Sequence, residues 1–451
     1  MTLQPLLKAE PETRSIFVHT FGCQMNEYDS LRVVRLLAPL GYRSTTDISE
    51  ADVVFINTCT VREKAEQKVY SFLGRLKPLK QRRPHMKIII AGCVAQQLGE
   101  KLLARFEYVD LVLGTRAVSS ITGLLEHAIE TGARLVHLPE IDPGDELEFH
   151  CGLNGVQTHV VAPVTIMQGC DNFCSYCIVP FVRGRERSRP ADAIIREISL
   201  LVESGAREVL LLGQNVNSYG RGLETDISFV GLLRRIQDET DLARLRFTTS
   251  HPKDLTDELI RCFAELPCLC AHLHLPVQAG SDEILRRMNR GYSRSRYLER
   301  IDRLREICPD IGLSSDVMVG FPGESEEQFQ DTMNLLKTVQ FDSLFSFKYS
   351  DRPDTRASRF PDKVPEDVKA RRLTELQNLQ AEITLRKNLD EIGRIRDVLV
   401  EGTSKASKEQ STGRTQQNRV VNFDNPDVPA GRIVRLRITA AFAHSLLGEA
   451  I

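Results

Sequence analysis

Between Val164 and Tyr349, six short runs rich in apolar and β-branched residues alternate with longer stretches of helical periodicity, and this rhythm leaves few folds open. The predicted strands are 164–168, 209–213, 246–249, 271–276, 312–319 and 343–349, with helices over 190–204, 226–239, 293–307 and 325–339 among the intervening stretches. Parallel neighbours need a long crossover, and a helix supplies it, so this succession predicts βαβ units. Six of them predict a complete or partial (β/α) barrel, whose chemistry belongs at the C-terminal strand ends. A stretch rich in Lys, Arg, Glu and Leu over 366–389 predicts a closing helix.

The same alternation marks the first part of the chain, with strands expected at 16–20, 53–57, 87–91 and 109–113. Pro139, Pro143, Gly144 and a cluster of acids make 131–157 read as a linker. After Gly393 the character changes: 398–401, 419–422 and 433–438 look like short strands between turns, the pattern of a small antiparallel β barrel. The expected architecture is therefore α/β, with an N-terminal parallel sheet domain at 14–130, a central partial (β/α) barrel at 156–387 and a C-terminal antiparallel barrel at 390–451.

Composition removes several classes. With 451 residues, 41% hydrophobic and 27% charged, the chain can fill ordinary cores without cross-links. Eleven cysteines are an odd number, and Met1 to Ser15 lacks a signal-peptide apolar core, so a cytoplasmic protein is expected rather than a secreted disulfide framework. No apolar run is long enough to span a bilayer, so no membrane role is expected. The 59 basic and 61 acidic residues exclude a uniformly cationic coat but leave local patches.

Cys23, Cys59 and Cys93 each follow a predicted strand by two or three residues. Ligands of open parallel sheets bind outside the carboxyl ends of the strands, so these three cysteines, distant in sequence, can meet on one rim. Singly, each is more often a small buried residue. A second set, Cys170, Cys174 and Cys177, lies in one loop after the first barrel strand. Thiolates at i, i+4 and i+7 suit three corners of an iron-sulfur cube and leave one iron open. A structural zinc is the alternative; it wants four closed ligands, and Cys151 or His159 would have to supply the fourth.

Three further strand ends carry small and polar residues: Gly213-Gln214-Asn215, Pro276 through Gln278 to Ser281, and Val319-Gly320 through Gly323-Glu324. Such rims let backbone approach a cofactor, although a glycine there is more often only a turn. Arg183, Arg185, Arg187 and Arg189 follow the cysteine loop, and Arg286, Arg287, Arg290, Arg294, Arg296, Arg300, Arg303 and Arg305 form a dense second set. Solvated helix faces and phosphate contact are both open readings for them. His251, His272 and His274 are assigned no role.

The cysteine loop resembles that of radical S-adenosylmethionine enzymes. Its context, Gln168-Gly169-Cys170 through Arg183-Gly184-Arg185-Glu186-Arg187-Ser188-Arg189, is similar to the methylthiotransferase family within them. So are Thr20-Phe21-Gly22-Cys23-Gln24-Met25-Asn26, Asn57-Thr58-Cys59-Thr60-Val61-Arg62 and Ala91-Gly92-Cys93, while Gly413-Arg414-Thr415 through Phe423 resembles the RNA-binding TRAM module. The resemblance spans 14–449. It implies two 4Fe-4S clusters, one on Cys170, Cys174 and Cys177 that binds S-adenosylmethionine, the other on Cys23, Cys59 and Cys93. Tyr176, Gln214, Gln278, Ser281, Gly320 and Gly323 become candidate cofactor contacts, and Arg183, Arg185 and Arg414 candidate substrate contacts. No side-chain acid or base is implied, since the chemistry belongs to the clusters.

The implied reaction is methylthiolation of carbon 2 of N(6)-dimethylallyladenosine next to the anticodon of tRNA, with a 5′-deoxyadenosyl radical removing the hydrogen. An electron-donor protein and a monomeric chain are expected with it. Sibling enzymes acting on threonylcarbamoyl-adenosine or on a ribosomal-protein aspartate, and a zinc-stabilised RNA-binding protein without catalysis, are the competing readings. Two features temper the resemblance. Residues 390–451 hold nine Lys or Arg against eight Asp or Glu, too even a balance to bind RNA by charge alone. Ala279 stands where the family pattern leads one to expect serine.

Overall fold

The computed structural model describes residues 13–60, 63–139, 159–223, 227–405 and 407–451. Val61-Arg62 of the second cysteine motif, Asp226, Cys151 and the acidic part of the expected linker lie outside these. The chain divides into two compact units, 1–157 and 158–451.

The first unit is a six-stranded sheet, β1 (Arg14–Thr20), β2 (Tyr42–Ser44), β3 (Val53–Thr58), β4 (Lys87–Gly92), β5 (Leu111–Leu113) and β6 (Leu135–His137), in the order β2-β1-β3-β4-β5-β6. All pairings are parallel. β3 and β4 are almost wholly buried, as befits central strands covered on both faces. One face packs Val54, Ile56, Ile88 and Ile90 against Val69, Leu73 and Leu76 of the helix Glu63–Arg82. The other packs Val53, Phe55 and Ile89 against Val33, Leu37, Ile121 and Leu125. Two short strands escape the sequence reading. β2 is a three-residue edge, and β6 falls inside the expected linker, whose start moves accordingly past His137.

The second unit begins with β7 (Val161–Thr165), then a small antiparallel pair, β8 (Met167–Gln168) and β9 (Arg187–Ser188), that brackets the cysteine loop. Parallel strands β10 (Glu208–Leu212), β11 (Arg244–Phe247), β12 (His272–His274), β13 (Gly312–Val319) and β14 (Ser343–Lys348) follow. They form two three-stranded sheets, β11-β10-β7 and β12-β13-β14. The seam between them is stitched where Leu245 N–H donates to Cys268 O at 2.7 Å and Cys270 N–H to Leu245 O at 2.9 Å. Six parallel strands in an open arc make the expected partial barrel. The expected strand 164–168 divides between β7 and β8. The helix Glu366–Leu389 packs on β14, at the bounds expected from sequence.

The chain ends in a closed barrel of β15 (Ile395–Thr403), β16 (Gln410–Arg414), β17 (Val420–Asp424), β18 (Ile433–Ala441) and β19 (Leu446–Ala450), in the order β15-β16-β17-β19-β18. Val398, Val400, Val421, Phe423, Leu436, Ile438 and Leu446 fill it. β16 and β19 go unrecognised in the sequence because the first is almost entirely polar and the second, Leu-Leu-Gly-Glu-Ala, has no β-branched residue and no alternation.

Candidate functional site

In the first unit, register decides where the three cysteines go. Thr20 pairs with Asn57, and Asn57 with Ala91, so the C-terminal ends of β1, β3 and β4 are level. Cys23, Cys59 and Cys93 lie two or three residues past that line, on three adjacent strands. A buried amide network holds the rim. Asn26 Nδ2 donates to Asn57 Oδ1 at 2.6 Å and to Thr58 O at 2.9 Å, and Asn57 Nδ2 returns a bond to Asn26 O at 2.8 Å. Thr58 Oγ1 donates to Ala91 O at 2.6 Å. Gly22, at φ 140°, leaves no room for a side chain, because a Cβ there would collide with Cys59. Cys59 and Cys93 are buried, whereas Cys23 is exposed at the N-terminus of the helix Gln24–Leu37.

In the second unit, Cys170 and Cys174 are buried and Cys177 partly so. Burial pushes the Cys170 thiol up to about 11 and that of Cys177 to about 12, with the neighbouring cysteines adding to each rise. Binding iron reverses this balance, since the bound ligand is the thiolate and its proton is released. Arg290 Nη1 lies 3.3 Å from Cys174 Sγ, while its Nη2 donates to Pro276 O at 2.7 Å. Ser175 N–H and Oγ fasten the loop to Met288 O and Arg287 O. Among the described residues, no three His, Cys, Asp or Glu side chains converge as they would around a single metal ion. Corners of an iron-sulfur cube stand farther apart than the ligands of one ion.

The rim beside the loop holds the second mark of a ligand site. Gln214 Oε1, Asn215 Oδ1, Ser250 Oγ and His251 Nε2 are all buried without a hydrogen-bond partner. These residues follow the C-terminal ends of β10 and β11, and their loops are tied together by Val216 N–H to Thr249 O at 3.2 Å and His251 N–H to Asn217 Oδ1 at 2.9 Å. Four orphaned polar atoms on two neighbouring loops are costly unless something bonds them. They suit a ligand with amino, carboxylate or hydroxyl groups, as S-adenosylmethionine has. Burial, then Arg290 and Lys253, drives His251 far below the usual imidazole range, so its ring is neutral.

The remaining candidates separate. Gln278, at φ 73°, is buried between β12 and β13, where its backbone bonds Asp316 O and Met318 N. Ser281 is buried at the start of the helix Asp282–Arg287. The Tyr176 hydroxyl lies 3.5 Å from Arg290 Nη1. A Cβ at Gly320 would strike Lys369, and one at Gly323 would strike Arg287, so both glycines make room for protein. Ala279 is buried among Ile284, Leu285, Met288 and Phe321, where a methyl packs and a hydroxyl would need a partner.

Arg183 is buried; Arg185 is exposed, pairs with Asp171 at 2.9 Å and covers the Phe173 ring at 5.2 Å. Arg414 pairs with Glu401 at 3.1 Å. Arg189 is also buried, on Glu197 at 2.6 Å and Thr165 O at 2.7 Å, so neither of the readings left open for its run, a solvated face or phosphate contact, describes it. In the second arginine set, Arg286, Arg294, Arg300 and Arg303 pair with carboxylates at the surface. Arg290 is the exception, buried against Cys174. Nothing local in the sequence distinguishes it from its neighbours, and the segment Thr249-Ser250-His251-Pro252-Lys253, although part of the family resemblance, gives Ser250 and His251 no role by itself.

Three family descriptions cover the chain: "Uncharacterized protein family UPF0004" over 15–114, the radical SAM superfamily over 164–336 and the TRAM domain over 390–451. The tRNA-2-methylthio-N(6)-dimethylallyladenosine synthase of Syntrophobacter fumaroxidans is 63% identical over 99% of this chain and 98% of its own length. That of Syntrophotalea carbinolica is 49% identical over 97% and 100%. Among solved structures, the radical S-adenosylmethionine methyltransferase TsrM of Kitasatospora setae shares the fold at TM-score 0.53 and 15% identity, covering 77% of each chain. With its three-thiol loop on a partial barrel and relatives this close over its whole length, the chain belongs to the tRNA-2-methylthio-N(6)-dimethylallyladenosine synthase family of radical SAM methylthiotransferases.

Proposed function

We propose that this chain methylthiolates carbon 2 of N(6)-dimethylallyladenosine next to the anticodon in tRNA, with S-adenosylmethionine and two 4Fe-4S clusters. The observation that carries the reading is the Cys170–Cys177 loop on the same strand rim as four buried, unpartnered polar atoms. The likeness of the full-length relatives supports the substrate. Cys170, Cys174 and Cys177 hold one cluster and leave one iron for the cofactor; Cys23, Cys59 and Cys93 hold the other. When bound, these groups supply the radical and sulfur-transfer chemistry that an unactivated aromatic C–H bond requires.

The protein's own part is positioning. Gln214, Asn215, Ser250 and neutral His251 orient the polar groups of S-adenosylmethionine, with Tyr176, Gln278 and Ser281 as further contacts; Gly320 and Gly323, whose open faces Lys369 and Arg287 fill, contribute through backbone alone. Arg290 sets its positive charge against the thiolates. Arg183, Arg185 and Arg414 serve the RNA. An anticodon-loop nucleotide is already single-stranded, which spares part of the few kcal/mol that extrusion from a duplex costs. Three domains, 14–130, 156–387 and 390–451, an electron-donor protein, a monomeric chain and a cytoplasmic setting complete the reading. Among the described residues every cysteine is a free thiol, which supports a reducing compartment, and no described helix is long and apolar enough to cross a membrane.

The test is incubation of reconstituted protein with an isopentenylated anticodon stem-loop, S-adenosylmethionine and reductant, read by mass. A methylthio increment is expected. An increment only on threonylcarbamoyl-adenosine RNA or on the ribosomal-protein aspartate would transfer the enzyme to a sibling activity. One zinc and no sulfide after anaerobic purification, in place of about eight iron and eight sulfide, would remove the enzyme reading altogether.

A further inference from the structure

The C-terminal barrel is locked to the end of the central barrel opposite the cysteine loop. Arg244, at the N-terminal end of β11, donates to Arg414 O at 2.7 Å and Asp397 O at 2.8 Å. Arg246 donates to Gln416 O at 2.7 Å and Thr415 O at 2.6 Å, and is itself held by Glu208 at 2.8 Å. Gln417 reaches Asp310 at 2.9 Å, and Arg419 bonds Asn388 and Asp342. The turn between β16 and β17 is thus pinned along the N-terminal ends of β11, β13 and β14 by charge-assisted bonds, those of Arg246 to Thr415 O and Glu208 buried and that of Gln417 to Asp310 exposed.

Beside this turn lies a cavity of about 240 Å³, lined by His272, Phe345, Asn388, Arg414, Asn418 and His444 among others. At about 30 Å³ per water it holds some eight waters, below the usual range for a drug-sized ligand and suited to one flat heterocycle. Phe345 is 50% exposed although it belongs to a strand, because β14 is the open edge of the arc. Its ring is propped edge-on by His274, with centroids 6.0 Å apart. Its lining pairs the Phe345 ring with amides and arginines that neighbours already hold in place, Asn388 by Arg419 and Phe442 O and Asn418 by Arg414, so little ordering is needed on binding.

We propose that this cavity is a base-binding subsite for an unpaired nucleotide of the RNA other than the one that reacts; the inference rests on the proposed RNA substrate. Stacking on an aromatic ring with amide groups at the base edge is how single-stranded RNA is gripped. The reacting base belongs at the cysteine loop, beyond the C-terminal strand ends. The cavity's walls belong to the N-terminal halves of β12 and β14, and β13 is eight residues long, so the two ends lie roughly 25 Å apart. A base seated here fixes the register of the loop. Because Arg414 is already paired with Glu401, the subsite selects by stacking more than by charge, in keeping with the even charge balance of the terminal barrel.

The experiment uses the full-length holoenzyme and anticodon stem-loops carrying a single photoreactive 4-thiouridine at successive loop positions. One position is expected to cross-link to 343–348 or to His444. Phe345→Ala should raise KM for the stem-loop about tenfold, with the effect on KM rather than kcat and rescue by Phe345→Trp; His444→Ala should give a smaller rise. An unchanged KM in both alanine variants, or cross-links confined to other segments, overturns the subsite. Product formation by the wild type with Phe345 silent sinks the subsite alone. A cross-link at β14 without methylthiolation of any RNA sinks the assigned reaction and leaves the subsite standing.

Discussion

The two cysteine sets occupy equivalent places on two parallel sheets and are assembled by opposite means. Cys170, Cys174 and Cys177 come from one loop, and a buried cation, Arg290, stands against them. Cys23, Cys59 and Cys93 come from three strand ends, and neutral amides and hydroxyls, Asn26, Asn57, Ser30 and Thr58, hold those ends level. A local set tolerates movement of the sheet beneath it, whereas a distributed set is only as good as the register of its strands. The contrast also has an electrostatic side: Arg290 puts a charge beside Cys174, while hydrogen-bonded amides hold the strand ends that carry the other set.

The largest expected effect tests whether the two sets are two centres. Cys174→Ala should abolish reductive cleavage of S-adenosylmethionine, read as 5′-deoxyadenosine formation. Cys59→Ala should preserve cleavage and stop methylthiolation. Full product formation by Cys59→Ala would break the comparison at its root.

Next comes the charge. Removing Arg290 takes a positive charge from beside a thiolate ligand, and hydrogen bonds and net charge tune cluster potentials. Arg290→Met should lower the reduction potential of the S-adenosylmethionine-binding cluster by about 60 mV or more, a tenfold change in a one-electron equilibrium. Redox titration followed by electron paramagnetic resonance measures it, and an unmoved potential would show that Arg290 only packs.

The neutral rim should fail differently. Asn26→Leu leaves Asn57 Oδ1 and Thr58 O without their donor, at a cost of about 2 kcal/mol. Iron per chain is expected to fall from about eight toward about four, with deoxyadenosine formation retained. Full iron loading in this variant would mean that the three strand ends hold their level without the amide network.

How far each site is legible in the sequence follows from the same contrast. The local loop declares itself by spacing. The distributed set becomes visible only through the rule that parallel strands gather ligands at their carboxyl ends, and the register Thr20–Asn57–Ala91 then makes it specific. Long buried strands such as β13 and helices with capping residues, such as Glu326–Val339 with its Ser325 and Gln328 box, are read almost to the residue. β2, β6, β16 and β19 are missed because edge strands and small-barrel strands need little apolar pattern. Arg290 and Arg189 are not picked out for another reason. A run of arginines resembles a solvated face, and only the fold decides which member turns inward. Ser250 and His251 show themselves as orphaned polar atoms, a property that exists only in three dimensions.

The smallest effect separates charged from neutral support by pH. Glu324, beyond the end of β13, accepts from Gly320 N–H at 2.6 Å and Arg372 Nη1 at 2.9 Å. Burial outweighs these donors and lifts its carboxyl from 4.5 to about 7. Below 4.5 the group is protonated in both folded and unfolded chains. As pH rises from there to about 7, the unfolded chain releases a proton that the folded one keeps, so stability falls by up to about 3 kcal/mol across that window and is level above it. Glu324→Gln should flatten this slope in thermal unfolding compared at pH 5 and pH 8. The amides and hydroxyls of the Asn26–Asn57 rim do not titrate, so the cost of Asn26→Leu should be the same at both values. Parallel profiles for the wild type and Glu324→Gln would mean that the donors, not burial, govern this carboxylate, and the electrostatic half of the contrast would then rest on Arg290 alone.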